Sequence, residues 1–232
     1  DDARQRQRVA RLGDLLPGIV DSIESGSGTV SITTPWTDLD HWIRGFRPGG
    51  LYVVAGRPGQ GQSLAGQAVA AHVARHGKAA FVASLEMTAS EYATRFLAAE
   101  SVVSQRSMES GQVSEPEWGR ISRSMGTLTG WPVWLNDSSR QTLGSIRADA
   151  RQVAASHDLG AIVIDYFQLM DPPDRGLPRH EQVGTITRGL KRLAKELHVP
   201  VVLLAQLNGE GAKTNRRPPL TDLRESGDIE QD

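Results

Sequence analysis

The chain has 232 residues, of which 38% are hydrophobic and 23% are charged, and its formal net charge at pH 7 is −1. This length is sufficient for one large domain with a substantial core and a short appended arm. The balanced charge excludes a generally basic protein, so any nucleic-acid surface must be local. The lack of cysteine excludes disulfides, thiolate metal sites and cysteine nucleophiles. No run of roughly 18 apolar residues is present to span a membrane, and we expect a cytoplasmic protein.

Residues 1–28 predict a docking helix followed by a flexible arm. The apolar residues that fall on one side of this helix are Leu15, Leu16, Ile19, Val20 and Ile23. Pro17 is tolerated only near the first turn of a helix. The helix can pack on its own domain or on a neighbouring subunit, because the segment behind it is rich in Gly and Ser. The chain starts without Met and stops in a charged segment, so we expect a fragment that is truncated at its carboxyl end.

From Thr33 onward, short apolar runs alternate with amphipathic stretches. The predicted strands are residues 51–55, 79–85, 133–135, 161–170 and 200–207. The predicted helices are residues 63–76, 89–100, 115–125, 141–156 and 181–198. This alternation is typical of an α/β fold with a mainly parallel sheet covered by helices on both faces. The loops that leave the carboxyl ends of such strands form the ligand face, and two of them, 171–180 and 208–219, are rich in Pro, Gly and charge.

A glycine-rich loop joins the first predicted strand to a helix. It consists of Gly56, Arg57, Pro58, Gly59, Gln60, Gly61, Gln62 and Ser63, with Leu64 opening the helix. A strand, a glycine-rich loop and a helix in this order form a Walker A site, where backbone N–H groups face phosphate oxygens and the Ser63 hydroxyl binds magnesium. The sequence therefore predicts ATP and Mg²⁺ as ligands. The alternative is a glycine-rich turn that binds nothing.

Gln62 occupies the position at which the Walker A motif requires lysine. The attraction between the lysine charge and the β- and γ-phosphates amounts to about 4 kcal/mol at a surface-like dielectric. A glutamine amide offers only neutral hydrogen bonds. We therefore expect weaker nucleotide binding and slower hydrolysis. Gln62 is either a deliberate substitution or a natural divergence, and both explanations remain open. Lys78 does not replace the lysine, because it lies in the turn after the helix.

Three further polar residues directly follow apolar stretches of the predicted strands and are candidates for catalysis. Asp165 follows four apolar residues, as in a Walker B motif, where it would hold magnesium mostly through water. Glu86 follows the strand FVASL and is placed to act as a general base for the attacking water. Gln206 ends the last predicted strand and can sense the γ-phosphate by hydrogen bonding. The alternative for Asp165 is an ordinary cap at the end of a strand.

Five segments together resemble the DnaB-type replicative DNA helicases. They are residues 34–63 around the glycine-rich loop, SLEM (84–87), IDYFQLM (164–170), AQLN (205–208) and DLRESGDIEQD (222–232). The resemblance covers roughly residues 30–232 and implies a RecA-like P-loop NTPase motor domain, which we place at residues 29–232. It further implies a homo-hexameric ring with single-stranded DNA in its channel and nucleotides between subunits. The resemblance assigns magnesium to Ser63 and Asp165, water activation to Glu86 and γ-phosphate sensing to Gln206.

The resemblance also implies which residues contact DNA. Arg224, Glu225 and Gly227 match the family's motif that lies along the DNA backbone, and the segments 171–180 and 208–219 are similar to its channel loops. The basic residues suited to tracking phosphates are Lys213, Arg216, Arg217 and Arg224. The alternative for these residues is a solvated loop.

Several departures from the family pattern leave two other functions open. Gln62 replaces the lysine, Gly209 stands where the family often has arginine, and the chain stops before the family's arginine finger. The domain that contacts primase in replicative members is also absent, so primase and a helicase loader are expected as partners of missing parts. One alternative is a RecA-like module that assembles on nucleotide or DNA without hydrolysis, as Gln62 favours. The other is a RecA- or RadA-type recombination ATPase, which the DLRESGDIEQD segment disfavours.

Overall fold

The computed structural model describes residues 10–24, 31–172 and 176–207. Within these ranges, five strands form one sheet in the order β1-β5-β4-β2-β3. Their bounds are β1 Leu51–Gly56, β2 Ala79–Ser84, β3 Val133–Asn136, β4 Leu159–Asp165 and β5 Val201–Gln206. Every pair of neighbouring strands is parallel. The predicted α/β fold with a mainly parallel sheet is therefore confirmed.

Helices connect the strands and follow the predicted stretches closely. Their bounds are α1 Leu12–Glu24, α2 Thr37–Ile43, α3 Gln62–Arg75, α4 Ala89–Ser101, α5 Gln105–Glu109, α6 Glu115–Thr129, α7 Leu143–Ser156 and α8 Arg179–Leu197. The sequence did not predict α2 and α5, because helices of seven and five residues are too short to show a period.

Both faces of the sheet are buried, as the continuous apolar strands predicted. On one face, Ile162 and Ile164 of β4 join a core that includes residues of α7 and α8. On the other face, Ala161 and Val163 join a core with residues of α3 and α4. Successive residues of β4 thus alternate between the two cores, which is the period of two expected of a strand. This double cover fixes β4 at the centre of the fold.

The predicted strand at 161–170 is wrong in its second half. The strand β4 ends at Asp165, and a short 3₁₀ helix follows at Phe167–Leu169. Phe167 and Met170 are both buried, so they extend the apolar run of the sequence without extending the strand. They are three residues apart, which is the spacing of one turn of a 3₁₀ helix. The segment 171–180 also contains less loop than predicted, because its last two residues begin α8. Residues 173–175 of this segment lie outside the described ranges.

A helix is present in the predicted docking segment, as α1, and its docking role stays a prediction. None of its residues is buried, and Leu12 and Ile23 are each 70% exposed. Packing of α1 on its own domain is therefore not observed in the described residues. Pro17 lies in the second turn of α1. The expectation that this helix tolerates a proline only near its first turn was therefore too narrow. No helix of the described ranges has the length and apolar character of a membrane span.

Gly66 allows α3 to pack closely against the sheet. A Cβ atom at this position would lie 2.6 Å from Leu204 Cδ1 and 3.1 Å from Val163 Cγ1, both in the core. We expect Gly66→Val to lower the free energy of unfolding by about 1–3 kcal/mol because of overpacking, as measured by urea denaturation. The matched control is Gly126→Val in α6, where a Cβ atom meets nothing within 4 Å. An equal effect of the two substitutions would contradict close packing at Gly66.

Candidate active site

The carboxyl ends of the central strands meet at one edge of the sheet. Gly56 of β1 pairs with Gln206 of β5, and Ser84 of β2 pairs with Asp165 of β4. A cavity of about 350 Å³ opens at this edge. The predicted site residues that line it are Pro58, Gly59, Gly61, Gln62, Ser63, Leu64, Glu86, Asp165 and Gln206. The structure thus brings together the loop, the two acids and the glutamine that the sequence predicted separately.

The backbone of the glycine-rich loop turns at two glycines beside the cavity. Gly59 and Gly61 both have positive φ angles, of 75° and 87°, which side chains rarely adopt. A Cβ atom at Gly59 would meet nothing within 4 Å, so the loop is open on that side. Gly61 is the N-cap of α3, and no side chain caps the first turn of this helix. An uncapped helix N-terminus beside a cavity favours an anion.

Gln62 is turned back onto the loop. Its Nε2 donates a hydrogen bond of 2.7 Å to the carbonyl oxygen of Arg57. The side chain covers Gly56, where a Cβ atom would lie 2.9 Å from Gln62 Nε2. Three predicted phosphate-loop residues, Gly56, Arg57 and Gln60, line a second small cavity, which they share with Gln62. They are not among the residues that line the larger cavity.

Asp165 is buried and accepts hydrogen bonds on both carboxylate oxygens. Ser63 Oγ donates to Oδ1 at 3.2 Å, and the Tyr92 hydroxyl donates to Oδ2 at 2.8 Å. Burial raises the pKa of Asp165, and the hydrogen bonds from Tyr92 and Ser63 and the charge of Arg95 oppose that rise. Burial, followed by the charge and the hydrogen bond of Asp165, raises the pKa of Tyr92. Tyr92 is therefore a neutral donor at physiological pH.

Glu86 lies in a bend beyond β2 and is exposed towards the cavity. The strand ends at Ser84, one residue earlier than predicted, and the Ser84 hydroxyl donates a 2.6 Å hydrogen bond to the carbonyl oxygen of Met87. The N–H of Leu85 donates to the backbone carbonyl of Asp165 at 2.6 Å. These bonds fix the bend beside the end of β4, so the two acids share one side of the cavity.

Gln206 is joined to the segment after β4 through Gln168. Gln168 Nε2 donates to the carbonyl oxygen of Gln206 at 2.9 Å. Arg179, at the start of α8, donates to the carbonyl oxygen of Gln168 at 2.6 Å. The end of β5 is therefore connected through hydrogen bonds to the first turn of α8.

The sequence did not predict four residues of this site. Tyr92 binds Asp165, and Arg95, Gln105 and Tyr166 line the cavity. The sequence did contain a signal for Tyr92 and Arg95. Tyr92 and Phe96 form the buried face of α4, and Arg95 lies three residues after Tyr92 on that face. A basic residue beside the buried face of a helix is unusual unless it has an anionic partner.

The predicted DNA-binding residues lie outside the described ranges. These are Lys213, Arg216, Arg217, Arg224, Glu225 and Gly227, and the segment 208–219 lies there as well. Their roles stay predictions from the sequence.

The donor set at Ser63 and Asp165 fits a magnesium ion that is shared with a nucleotide. A hydroxyl and a carboxylate are oxygen ligands, and Mg²⁺ is commonly held by one or two protein oxygens together with phosphates. Within the described ranges, no cluster of three or more His, Cys, Asp or Glu residues could hold a metal ion.

The hydrogen bond from Tyr92 to Asp165 is expected to stabilise the ligand-free fold. We expect Tyr92→Phe to lower the free energy of unfolding at pH 7 by about 1.5–3 kcal/mol, because it removes a buried bond to a charged acceptor. The measurement is urea denaturation without magnesium or nucleotide. Tyr52→Phe is the control, because the Tyr52 hydroxyl accepts a bond from the backbone N–H of Arg47 at a more exposed position. A larger loss for Tyr52→Phe would contradict the importance assigned to Tyr92.

Comparison with known proteins assigns the chain to a family. Residues 31–232 match the family described as "DnaB-like helicase C terminal domain". The replicative DNA helicase DnaB of Leifsonia xyli subsp. xyli is 40% identical over 220 residues, which are 92% of this chain and 48% of that protein. The replicative DNA helicase DnaC of Bacillus subtilis is 35% identical over 94% of this chain and 50% of its own length. The chain thus spans about half the length of these two relatives.

Solved structures agree with this assignment. One, described as an ATPase domain, superimposes with a TM-score of 0.90 at 27% identity, and the match covers 96% of this chain and 81% of that one. A DnaB-like replicative helicase, solved in a study of its interactions with primase, gives a TM-score of 0.86 at 26% identity, with 96% of this chain and 55% of that one covered. The chain belongs to the DnaB-like helicase C-terminal domain family.

Proposed function

We propose that this domain is the ATP-driven motor of a ring helicase that moves along single-stranded DNA and unwinds duplex DNA during replication. The observation that carries the proposal is the convergence of Ser63, Glu86, Asp165 and Gln206 on the cavity beside the glycine-rich loop. Ser63 lies at the start of α3 and Glu86 in the bend after β2, whereas Asp165 and Gln206 end β4 and β5. The family assignment supports the same chemistry.

In this proposal, different residues of the site bind the phosphates, hold the metal and activate the attacking water. The loop from Gly56 to Leu64 binds the phosphates through its backbone N–H groups and the N-terminus of α3. Ser63 and Asp165 hold magnesium, which neutralises phosphate charge when it is bound with ATP. Glu86 accepts the proton of the attacking water, because it is exposed to the cavity and no hydrogen bond within the described residues engages its carboxylate.

Gln206 links the nucleotide to the DNA-binding segment in this proposal. It lines the cavity, ends β5 and is followed directly by the segment that holds Lys213, Arg216 and Arg217. A hydrogen bond between Gln206 and the γ-phosphate would therefore act at the base of that segment. We further propose a homo-hexamer with DNA in its channel, Arg224, Glu225 and Gly227 along the DNA backbone, and primase and a loader as partners of the whole protein.

A second candidate function is a nucleotide-bound assembly module that does not hydrolyse ATP. The observation that favours it is the hydrogen bond from Gln62 to the Arg57 carbonyl, which commits the amide to the loop. In that state position 62 offers neither a charge nor this donor to the phosphates. Both candidate functions require nucleotide binding, and only the motor requires ATP hydrolysis.

A lysine at position 62 is expected to raise turnover. We expect Gln62→Lys to increase the rate of magnesium-dependent ATP hydrolysis with single-stranded DNA by at least about 10-fold, because the charge interacts with the γ-phosphate in the transition state. Phosphate release is measured with and without DNA, on this chain and on a form extended at its carboxyl end.

Two control variants sharpen this test. Gln112→Lys adds the same charge at an exposed site outside the cavity and is expected to leave the rate unchanged. Glu86→Gln in the lysine form is expected to remove most of the gained turnover. If the lysine form binds ATP and DNA and remains inert in the extended chain, the motor proposal fails and the assembly module becomes the better account.

The DNA contacts are expected to depend on salt. We expect Arg216→Ala with Arg217→Ala to weaken single-stranded DNA binding and to reduce the slope of log affinity against log salt by about 1.4, because each lost phosphate contact removes about 0.7. The slope is measured by fluorescence anisotropy over a series of salt concentrations. The control is Arg106→Ala with Arg123→Ala, two exposed residues of α5 and α6. An unchanged slope would show that residues 216 and 217 are solvated and do not contact DNA.

A further inference from the structure

Two of the six histidines of the chain lie one turn apart at the end of α3. The ring centres of His72 and His76 are 4.3 Å apart, and the ring planes meet at 43°. His72 is half-buried and His76 is exposed. Residues four apart share one helix face, and two histidines at this spacing can bind one zinc ion. Because metal–nitrogen bonds are about 2.0–2.1 Å long, rings this close lie within reach of one ion.

The hydrogen bond of His76 leaves one of its ring nitrogens available. The Nδ1 atom lies 2.8 Å from the backbone carbonyl oxygen of His72. A carbonyl oxygen only accepts hydrogen bonds, so Nδ1 carries the proton and donates this bond. In the neutral ring the other nitrogen, Nε2, then has a free lone pair. Among the residues that the structure describes, none forms a hydrogen bond with this Nε2 atom.

A threonine outside the helix orients the ring of His72. The Nε2 atom of His72 lies 2.8 Å from Thr33 Oγ1. A hydroxyl oxygen accepts as well as donates, so Nε2 can donate this bond and leave the lone pair on Nδ1. Metal-binding histidines almost always have this arrangement, in which the second ring nitrogen donates to an oxygen that fixes the ring. His72 and His76 thus share the features of metal ligands that are oriented by outer partners.

The surroundings of the pair favour a neutral His72 ring and accept a cation. Burial, followed by the charge of His76, lowers the pKa of His72. Metal ions require the neutral imidazole, so this shift favours binding. The Asp40 carboxylate attracts positive charge at His72, whereas Arg75 opposes it. Arg75 forms an ion pair with Glu100, which partly neutralises its charge.

An ordinary structural role explains only part of this arrangement. Histidines near the last turn of a helix can donate to its free carbonyl groups and stabilise the helix end. The bond from His76 Nδ1 to the His72 carbonyl is of this kind. It does not require a second histidine, nor a threonine that holds the second ring. The helix-ending role and a metal site differ in whether the pair binds an ion.

We propose that His72 Nδ1 and His76 Nε2 bind one divalent transition-metal ion, such as Zn²⁺, Ni²⁺ or Cu²⁺. Water completes the coordination, because the described ranges bring no third His, Cys, Asp or Glu into the cluster. Imidazole ligands suit these ions, whereas Mg²⁺ prefers oxygen ligands. From Ser63 to His72 the helix rises by about 13.5 Å. The site therefore differs in chemistry and position from the proposed magnesium site, and it does not depend on nucleotide binding.

The first test is metal binding by the chain, purified without a polyhistidine tag. The affinities of Zn²⁺ and Ni²⁺ are measured by calorimetry without nucleotide, for the unsubstituted chain, His72→Gln, His76→Gln and His180→Gln. We expect one ion per chain. Each substitution in the pair should weaken binding by at least about 10-fold, because even the loss of a ligand's outer partner has an effect of this size. His180→Gln removes an exposed histidine of α8 and should leave the affinity unchanged.

A second test distinguishes an oriented site from two histidines that meet an ion by chance. Thr33→Val removes the hydroxyl that orients His72 and should weaken Zn²⁺ binding by about 10-fold to 100-fold. The matched control is Thr129→Val at the end of α6, where the hydroxyl donates to the carbonyl oxygen of Met125. Electron paramagnetic resonance with Cu²⁺ should show two imidazole nitrogens in the unsubstituted chain and one in His76→Gln.

Thermal unfolding protects both tests from a loss of structure. His76 is exposed, so His76→Gln should keep the melting temperature of the metal-free chain even if His72→Gln does not fold. Zn²⁺ should raise the melting temperature of the unsubstituted chain and not that of His76→Gln.

Three results would overturn the proposal. Failure of the unsubstituted chain to bind Zn²⁺, Ni²⁺ or Cu²⁺ would show that the pair only ends the helix. Binding that persists at full strength in both His72→Gln and His76→Gln would place the ion elsewhere in the chain. An unchanged affinity in Thr33→Val would show that the rings are not oriented for a metal.

Discussion

One buried carboxylate, that of Asp165, holds the parts of the candidate active site together. Its two oxygens accept hydrogen bonds from Ser63 at the start of α3 and from Tyr92 in α4, and its backbone carbonyl accepts a bond from the N–H of Leu85. The phosphate-loop helix, the helix that carries Arg95 and the bend that carries Glu86 are therefore all attached to the end of β4. Because β4 is covered on both faces, this attachment point cannot shift without disturbing both cores.

The burial of Asp165 makes an ionised carboxylate unfavourable in the ligand-free protein. Burial raises the pKa of Asp165, so the folded state opposes its ionisation, and the bonds from Tyr92 and Ser63 only partly offset that effect. A carboxylate is nevertheless needed at this position if Asp165 is to hold a cation. Functional sites commonly retain such unfavourable groups, because the ligand stabilises them when it binds. A buried acid beside an open cavity is therefore an indication of a binding site in its own right.

The sequence was informative where function depends on short, local signals. The glycine-rich loop, Asp165 and Gln206 each follow an apolar strand directly, so the edge of the sheet that they share could be predicted. The contact of Tyr92 with Asp165 joins residues 73 positions apart and depends on how α4 is rotated, which no local pattern states. Residues 166–170 were assigned to the strand for a similar reason, since burial of Phe167 and Met170 looks the same in a 3₁₀ helix and in a strand.

The charge of the cavity explains why position 62 matters. Its described lining carries two acids, Glu86 and Asp165, and one cation, Arg95. A lysine at position 62 would balance these charges before any ligand arrives, whereas glutamine leaves the site with an excess of one negative charge. A triphosphate that enters this site meets repulsion unless it brings a divalent cation, whose charge is screened little in a partly buried cavity. Nucleotide and magnesium should therefore depend on each other more strongly here than in a site with the lysine.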